Sequence, residues 1–296
     1  MTERVPHADE VPLRIGAVSF LNTAPLIDGL DRLEACRVRP SVPSLLIDQL
    51  LADEVDVALC STIDYLRAPV PLRLLPAGQL GGAGATLTVR LYARRPIEAL
   101  TEVHVDTDSH TSVALLRIIL AERYGIRPAI RPYHARERVA AHRPLEWPDA
   151  MLLIGDKVVT DSPPAVRYPH QIDLGAAWFT LTGLPFVFAM WMVRTDLDPH
   201  RLARAGVLLD RQRRANTMRL GALLSRRLQG SRWPADLAVT YITECLQYEV
   251  TPRSLEGLRA FFDRAVSHGI VDADRPLDLV SPYGKASQHA PASLST

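Results

Sequence analysis

Four short apolar runs in this chain each stop at small polar residues. Leu13 to Val18 leads into Ser19, Asn22 and Thr23. Val55 to Cys60 leads into Ser61, Thr62 and Asp64. Val103 to Val105 leads into the loop Asp106 to Ser112, and Ala150 to Gly155 into Asp156. Apolar runs this short read as buried strands. Helix-length segments lie between them through about residue 190, which predicts an α/β fold with largely parallel sheets. In open sheets of this kind ligands bind beyond the carboxyl ends of strands, often against helix N-termini. The four polar ends lie far apart in the chain, and one site fed by all of them would suit a cleft between two lobes.

The first polar end, within IGAVSFLNTAPL (Ile15 to Leu26), is the most informative. Pro25 suits the first turn of a helix, where its missing N–H costs nothing. Asn22 reads equally as a helix cap or as a side chain delivered into the cleft. In the third, the hydroxyls of Ser109, Thr111 and Ser112 stand where an amphipathic helix begins. That helix, Ser112 to Tyr124, puts Val113, Leu116, Ile119 and Leu120 on one face and ends at Gly125. Unpaired amides and the helix dipole favour a carboxylate or phosphate at such a place, with simple capping by Ser109 or Thr111 as the competing reading.

Elsewhere the pattern predicts a helix over Pro25 to Leu33, and another within Ser41 to Leu51 capped by Ser41 or Ser44. LGGAGA (Leu80 to Ala85) reads as a glycine-rich turn without the Lys-Ser/Thr ending of a phosphate loop. Strands are expected over Thr86 to Ala93, Ala129 to Tyr133 and Phe186 to Val193. The C-terminal third reads as helices: Leu202 to Leu228, broken near Asn216, then Pro234 to Leu246 and Ser254 to His268. The last has an apolar face of Leu255, Leu258, Phe261, Phe262 and Val266.

Several function classes are disfavoured. A net charge of +1 over 296 residues gives no basic footprint for nucleic acid. No run approaches the ~20 apolar residues of a membrane span. The opening MTERVPHADEVP has no signal core, so a loose leader and a cytoplasmic protein are expected. Cys36, Cys60 and Cys245 form no metal pattern and read as free thiols; Cys60 beside Ser61 is a minor candidate nucleophile. His134 and His142 read as solvated, and no metal is expected.

Five segments occur in order: SFLNTAPL, PSLLIDQLLADEVDVALCSTIDYL, DSHTSVALLRIIL, DAMLLIGD and IDLGAAWFTLTGLPFVFAMW. Together, over about residues 13 to 195, they resemble the chorismate dehydratases of the futalosine route to menaquinone. The resemblance implies a two-lobed fold like the type II periplasmic binding proteins, working as an enzyme without cofactor. One lobe would hold 13–104 with 193–285, the other 105–192, leaving 1–12 and 286–296 as loose termini. It implies loss of water from chorismate, a dicarboxylate, to give 3-[(1-carboxyvinyl)oxy]benzoate.

On that resemblance Asn22 is the first choice for positioning the reacting group. Substrate contacts are expected from Ser19, Ser61, Thr62, Thr88, Ser109, His110, Thr111, Ser112, Gly155 and Asp156. An Asn amide is no general base. That leaves the substrate's own side-chain carboxylate, a water or Asp156, with the substrate carboxylate preferred. The chain departs from the family's pattern in three places: His110 where an Arg is expected, Thr88 and Ala93 where serines are common, and Lys157 where a small residue is usual. The related 1,4-dihydroxy-6-naphthoate synthase and a non-catalytic cytoplasmic carboxylate sensor of the same fold are the alternatives. The partner expected is the small-molecule substrate, with neither nucleic acid nor membrane; the amphipathic C-terminal helices leave room for a homodimer.

Overall fold

The computed structural model describes residues 11–135, 147–272 and 274–280. The leader up to residue 10, the tail 286–296 and His142 lie outside them. Among the described residues no helix is long and apolar enough to cross a membrane.

Two five-stranded sheets organise the chain. The first has the order β2 (Cys36–Pro40), β1 (Leu13–Ala17), β3 (Val57–Ser61), β10 (Phe186–Arg194), β4 (Leu72–Gly82). The second has the order β7 (Ala129–Tyr133), β6 (Glu102–Asp106), β8 (Ala150–Ile154), β5 (Val89–Ala93), β9 (His170–Asp173). In each sheet four strands run in one direction and one lies antiparallel to both its neighbours: β10 in the first, β5 in the second. These two strands directly follow the segments that cross between lobes. The sheets are therefore mixed rather than largely parallel: a strand arriving from the other lobe need not follow the right-handed β-α-β path that makes strands parallel.

The crossings fall elsewhere than expected. The second sheet begins at Val89, not at residue 105, and β10 from Phe186 already belongs to the first. Sheet membership depends on long-range pairing that a short apolar run does not encode.

Local chemistry explains most of the elements. Helix α1 (Ala24–Ile27) is a single turn with Pro25 at its start. Gly29, at φ +84°, breaks it before the expected end at Leu33. Helix α2 (Pro43–Leu51) has no side-chain cap, so neither Ser41 nor Ser44 serves as one. After it come the single turn α3 (Asp64–Arg67) and α4 (His110–Tyr124). Leu80, Gly81 and Gly82 continue β4 instead of turning. A Cβ on Gly81 would meet the Phe186 carbonyl oxygen at 2.6 Å and one on Gly82 the Cys245 carbonyl oxygen at 2.5 Å, so both glycines serve close backbone approach.

Beyond β8 lie α5 (Lys157–Thr160) and α6 (Leu174–Thr182). Then come α7 (Pro199–Met218) and α8 (Leu220–Arg227), which part at Arg219 rather than Asn216. They are followed by α9 (Ala235–Thr240), a π-turn at Tyr241–Cys245 and α10 (Pro252–Ser267). Leu258, Phe261, Phe262 and Ala265 of α10 are buried within the chain. Phe261 meets Phe186 edge-on at 4.9 Å and Trp178 at 6.2 Å. The apolar face of α10 is thus covered by the protein itself.

Candidate active site

A cleft opens between the two sheets and is lined by residues of both. The first lobe contributes Asn22, Ser61 and Phe188. The second contributes Thr88, Ser109, Ser112 and Gly155, and the C-terminal helices contribute Tyr241. Among the described residues, none that lines it carries a formal charge. Its polarity comes from neutral hydroxyls and one carboxamide, set among apolar side chains.

Asn22 sits in a 3₁₀ turn, Leu21–Thr23, where β1 gives way to α1. The Thr23 hydroxyl pins that turn, 2.6 Å from the Val18 carbonyl oxygen and 2.9 Å from that of Phe20. The Asn22 side chain is 9% exposed, and its Oδ1 has no hydrogen-bond partner among the described residues. The two readings of this corner are thereby separated: the turn is closed by Thr23, and Asn22 is left for the cavity.

At the start of α4 the competing readings merge. Ser109 is the N-cap, its Oγ accepting the Ser112 amide at 3.2 Å and donating to Ser112 Oγ at 3.0 Å. Both serines also line the cavity. The loop before them is locked by Lys157, whose Nζ lies 2.6 Å from Asp106 Oδ2 and 2.9 Å from Asp108 Oδ2. Asp106 is buried and also accepts the amides of Asp108 and Ile154. Burial pushes its pKa above the usual carboxylate value, against the pull of Lys157. The unusual Lys157 therefore braces the loop and adds no charge to the cavity.

Several expected contacts lie elsewhere. Thr62 Oγ1 donates to the Val187 carbonyl at 2.8 Å, and Thr111 Oγ1 accepts the Ile63 amide at 3.2 Å. His110 Nδ1 stands 2.8 Å from Asp64 Oδ1. Thr62, Thr111 and His110 therefore build the seam between the lobes and do not line the cavity. Alternation along a helix start faces Thr111 and His110 away from Ser109 and Ser112. Ser19 is exposed and outside the lining.

Asp156 is also outside it: its carboxyl is buried beside Trp233 and the Leu21 amide, and burial raises its pKa. Ala93 is buried in β5, away from the cavity. Cys60 is fully buried in β3, and burial raises its thiol pKa well above the usual value, the opposite of an activated nucleophile.

Gly155 lines the cavity at φ +73°, and a Cβ there would touch the Phe20 ring at 3.4 Å. Thr86 and Tyr241 also line the cavity and escaped sequence reasoning. Tyr241 lies among helices whose order in space no local pattern reveals. Thr86 is held by Asp173, whose carboxylate accepts the amides of Thr86 and Leu87 at 3.0 and 2.8 Å. Leu87, at φ +57°, takes a strained left-handed turn between them.

A model of the menaquinone biosynthesis family matches residues 13–267. The chorismate dehydratase of Thermus thermophilus is 35% identical over 202 residues, covering 64% of this chain and 72% of that protein. Two solved structures are similar in fold. One is a Candida albicans protein of the generic periplasmic binding protein fold, with TM-score 0.61 and 12% identity over 90% of this chain and 92% of that one. The other is the alkanesulfonate-binding protein SsuA of Xanthomonas axonopodis pv. citri bound to MOPS, with TM-score 0.59 and 14% identity over 93% and 99%.

Proposed function

The chain belongs to the menaquinone biosynthesis family, and from that membership we infer that it is a chorismate dehydratase, a carbon–oxygen lyase. The carrying observation is the cavity of neutral donors between the lobes, with Asn22 at one side and the Ser109–Ser112 cap at the other.

The reaction breaks a ring C–H bond and the neighbouring C–O bond. The C–H electron pair becomes the third ring double bond, and the hydroxide leaves as water with the proton removed. Aromatisation supplies much of the driving force. The protein's task is to hold one conformer, exclude water and stabilise charge as it moves. Ser109, Ser112 and the first amides of α4 suit one substrate carboxylate, since the positive end of a 15-residue helix adds to the hydroxyl donors. Ser61, at the end of β3, reaches the ligand from the first lobe.

Tyr241, whose pKa burial raises far above the usual phenol value, serves as a neutral donor or acceptor and not as a base. Asp156 does not line the cavity, and the proton passes to the substrate's own side-chain carboxylate. No net oxidation occurs, so the reading calls for no redox cofactor, and it places the enzyme in the cytoplasm.

The test is incubation of the purified protein with chorismate, followed by mass spectrometry and ultraviolet absorbance. A product lighter by one water and newly aromatic is expected. Chorismate returned unchanged would refute the reading.

A further inference from the structure

A second pocket, of about 350 Å³, falls in the size range of small-ligand sites and shares no lining residue with the active cleft. Three stretches of chain build it. Val113, Arg117 and Leu120 recur at i, i+4 and i+7, one face of α4. Arg127 and Ile130 lead into and along β7. His268 and Ile270 stand at the end of α10, where Gly269 at φ +62° turns the chain out of the helix. α4 and β7 belong to the second lobe, whereas α10 packs on β10 of the first through Phe261 against Phe186.

The floor of this pocket is apolar. Leu120 and Ile270 are buried in the main core, and Val113 and Ile130 pack against it. Its charge is all of one sign: among the described residues the lining holds Arg117 and Arg127 and no carboxylate. The nearby acid, Glu122, is already held by Arg264 at 3.2 Å. Arg127 Nη2 lies 3.2 Å from His268 Nδ1, and a guanidinium only donates. Nδ1 is therefore the acceptor and Nε2 carries the ring proton, which it donates to Glu122 Oε1 at 2.9 Å. The ring is neutral in this arrangement, and Arg127 keeps its charge for the pocket.

We propose that this pocket is a second binding site, for a small organic carboxylate with an apolar body. The head pairs with Arg117 and Arg127, which are both exposed, and the body covers Val113, Leu120, Ile130 and Ile270. Planar guanidinium forks match a carboxylate. The floor gains from a hydrocarbon body what a bare ion cannot supply, and a neutral apolar molecule leaves the two cations unmet. Because the walls come from both lobes, an occupant ties the lobes together and stabilises the fold by mass action. The site stands whatever reaction the cleft performs.

Calorimetric titration of the wild type with octanoate, acetate and 1-octanol tests head and body separately. Octanoate is expected to bind with a Kd of about 1 mM or tighter, and acetate and octanol at least about tenfold more weakly. The double variant Arg117→Gln, Arg127→Gln should weaken octanoate about tenfold or more, and the rise in Tm that octanoate gives the wild type should vanish with it. Arg117→Gln alone leaves Arg127, His268 and Glu122 linked and should weaken octanoate about threefold. It carries the test if the double variant fails to fold. Neither arginine lines the active cleft, so binding lost in these variants is not binding there. Octanoate that fails to bind, that binds the variants as tightly as the wild type, or that is matched by octanol would overturn the proposal.

Discussion

Asn22 shows how much one side chain's surroundings decide. The same residue type at a strand–helix corner normally caps the helix. Here the Thr23 hydroxyl closes the turn, and the carboxamide faces the cavity. Replacing Asn22 with Ala is expected to lower kcat roughly 100-fold or more, with KM changed less than about tenfold. Steady-state kinetics on chorismate decide it, and equal losses in kcat and affinity would reduce Asn22 to a simple binding contact. His110 and Lys157 teach the complementary lesson. Both depart from the resembled family's pattern in or near the expected site, yet both are held by carboxylates outside the cavity: His110 by Asp64, and Lys157 by Asp106 and Asp108.

At the scale of the element, α4 does two jobs with one residue. Ser109 satisfies the first turn's orphan amide and lines the cavity. Ser109→Ala should cost about 0.5–2 kcal/mol of stability, whereas Ser109→Gly should cost only a few tenths. Both variants lose the hydroxyl, so KM for chorismate should rise alike in the two. Thermal melts alongside kinetics separate the roles, and a KM that followed stability instead would deny the serine its ligand contact. β4 makes a similar point about glycine. Gly81 and Gly82 look like a turn in sequence, but they are strand residues placed where neighbouring carbonyls leave no room for a Cβ.

For the whole molecule, the seam between the lobes is itself titratable. Asp64 belongs to the first lobe and His110 to the second, and their hydrogen bond favours the charged ring, raising the His110 pKa above 6.5. Burial and Arg67 oppose that shift, while Asp48 adds to it. A raised histidine pKa means the contact stabilises fully below about pH 6.5 and is lost as pH rises through the raised value. The gap in Tm between the wild type and His110→Asn should therefore be widest in mild acid and narrow toward about pH 9. A gap independent of pH would show that the ring does not titrate against Asp64. Thr111 and Thr62 flank this pair in the same seam.

The two-lobed class came from the family resemblance; local pattern was enough to determine the alternation of strands and helices, the polar strand ends and the helix start at 109–112. These follow from periodicity, capping and turn chemistry, which act within a few residues. Asn22, Ser61, Ser109, Ser112 and Gly155 were legible for that reason, whereas Thr88 came only from the family resemblance. The tertiary structure alone decided which sheet claims β5 and β10, because strand pairing is a long-range choice. It also decided that Thr62, His110 and Thr111 face a seam, and that Tyr241, far along the chain, completes the cavity. Whether a polar side chain meets a ligand or a neighbouring lobe depends on what the fold brings opposite it, and no local pattern carries that information.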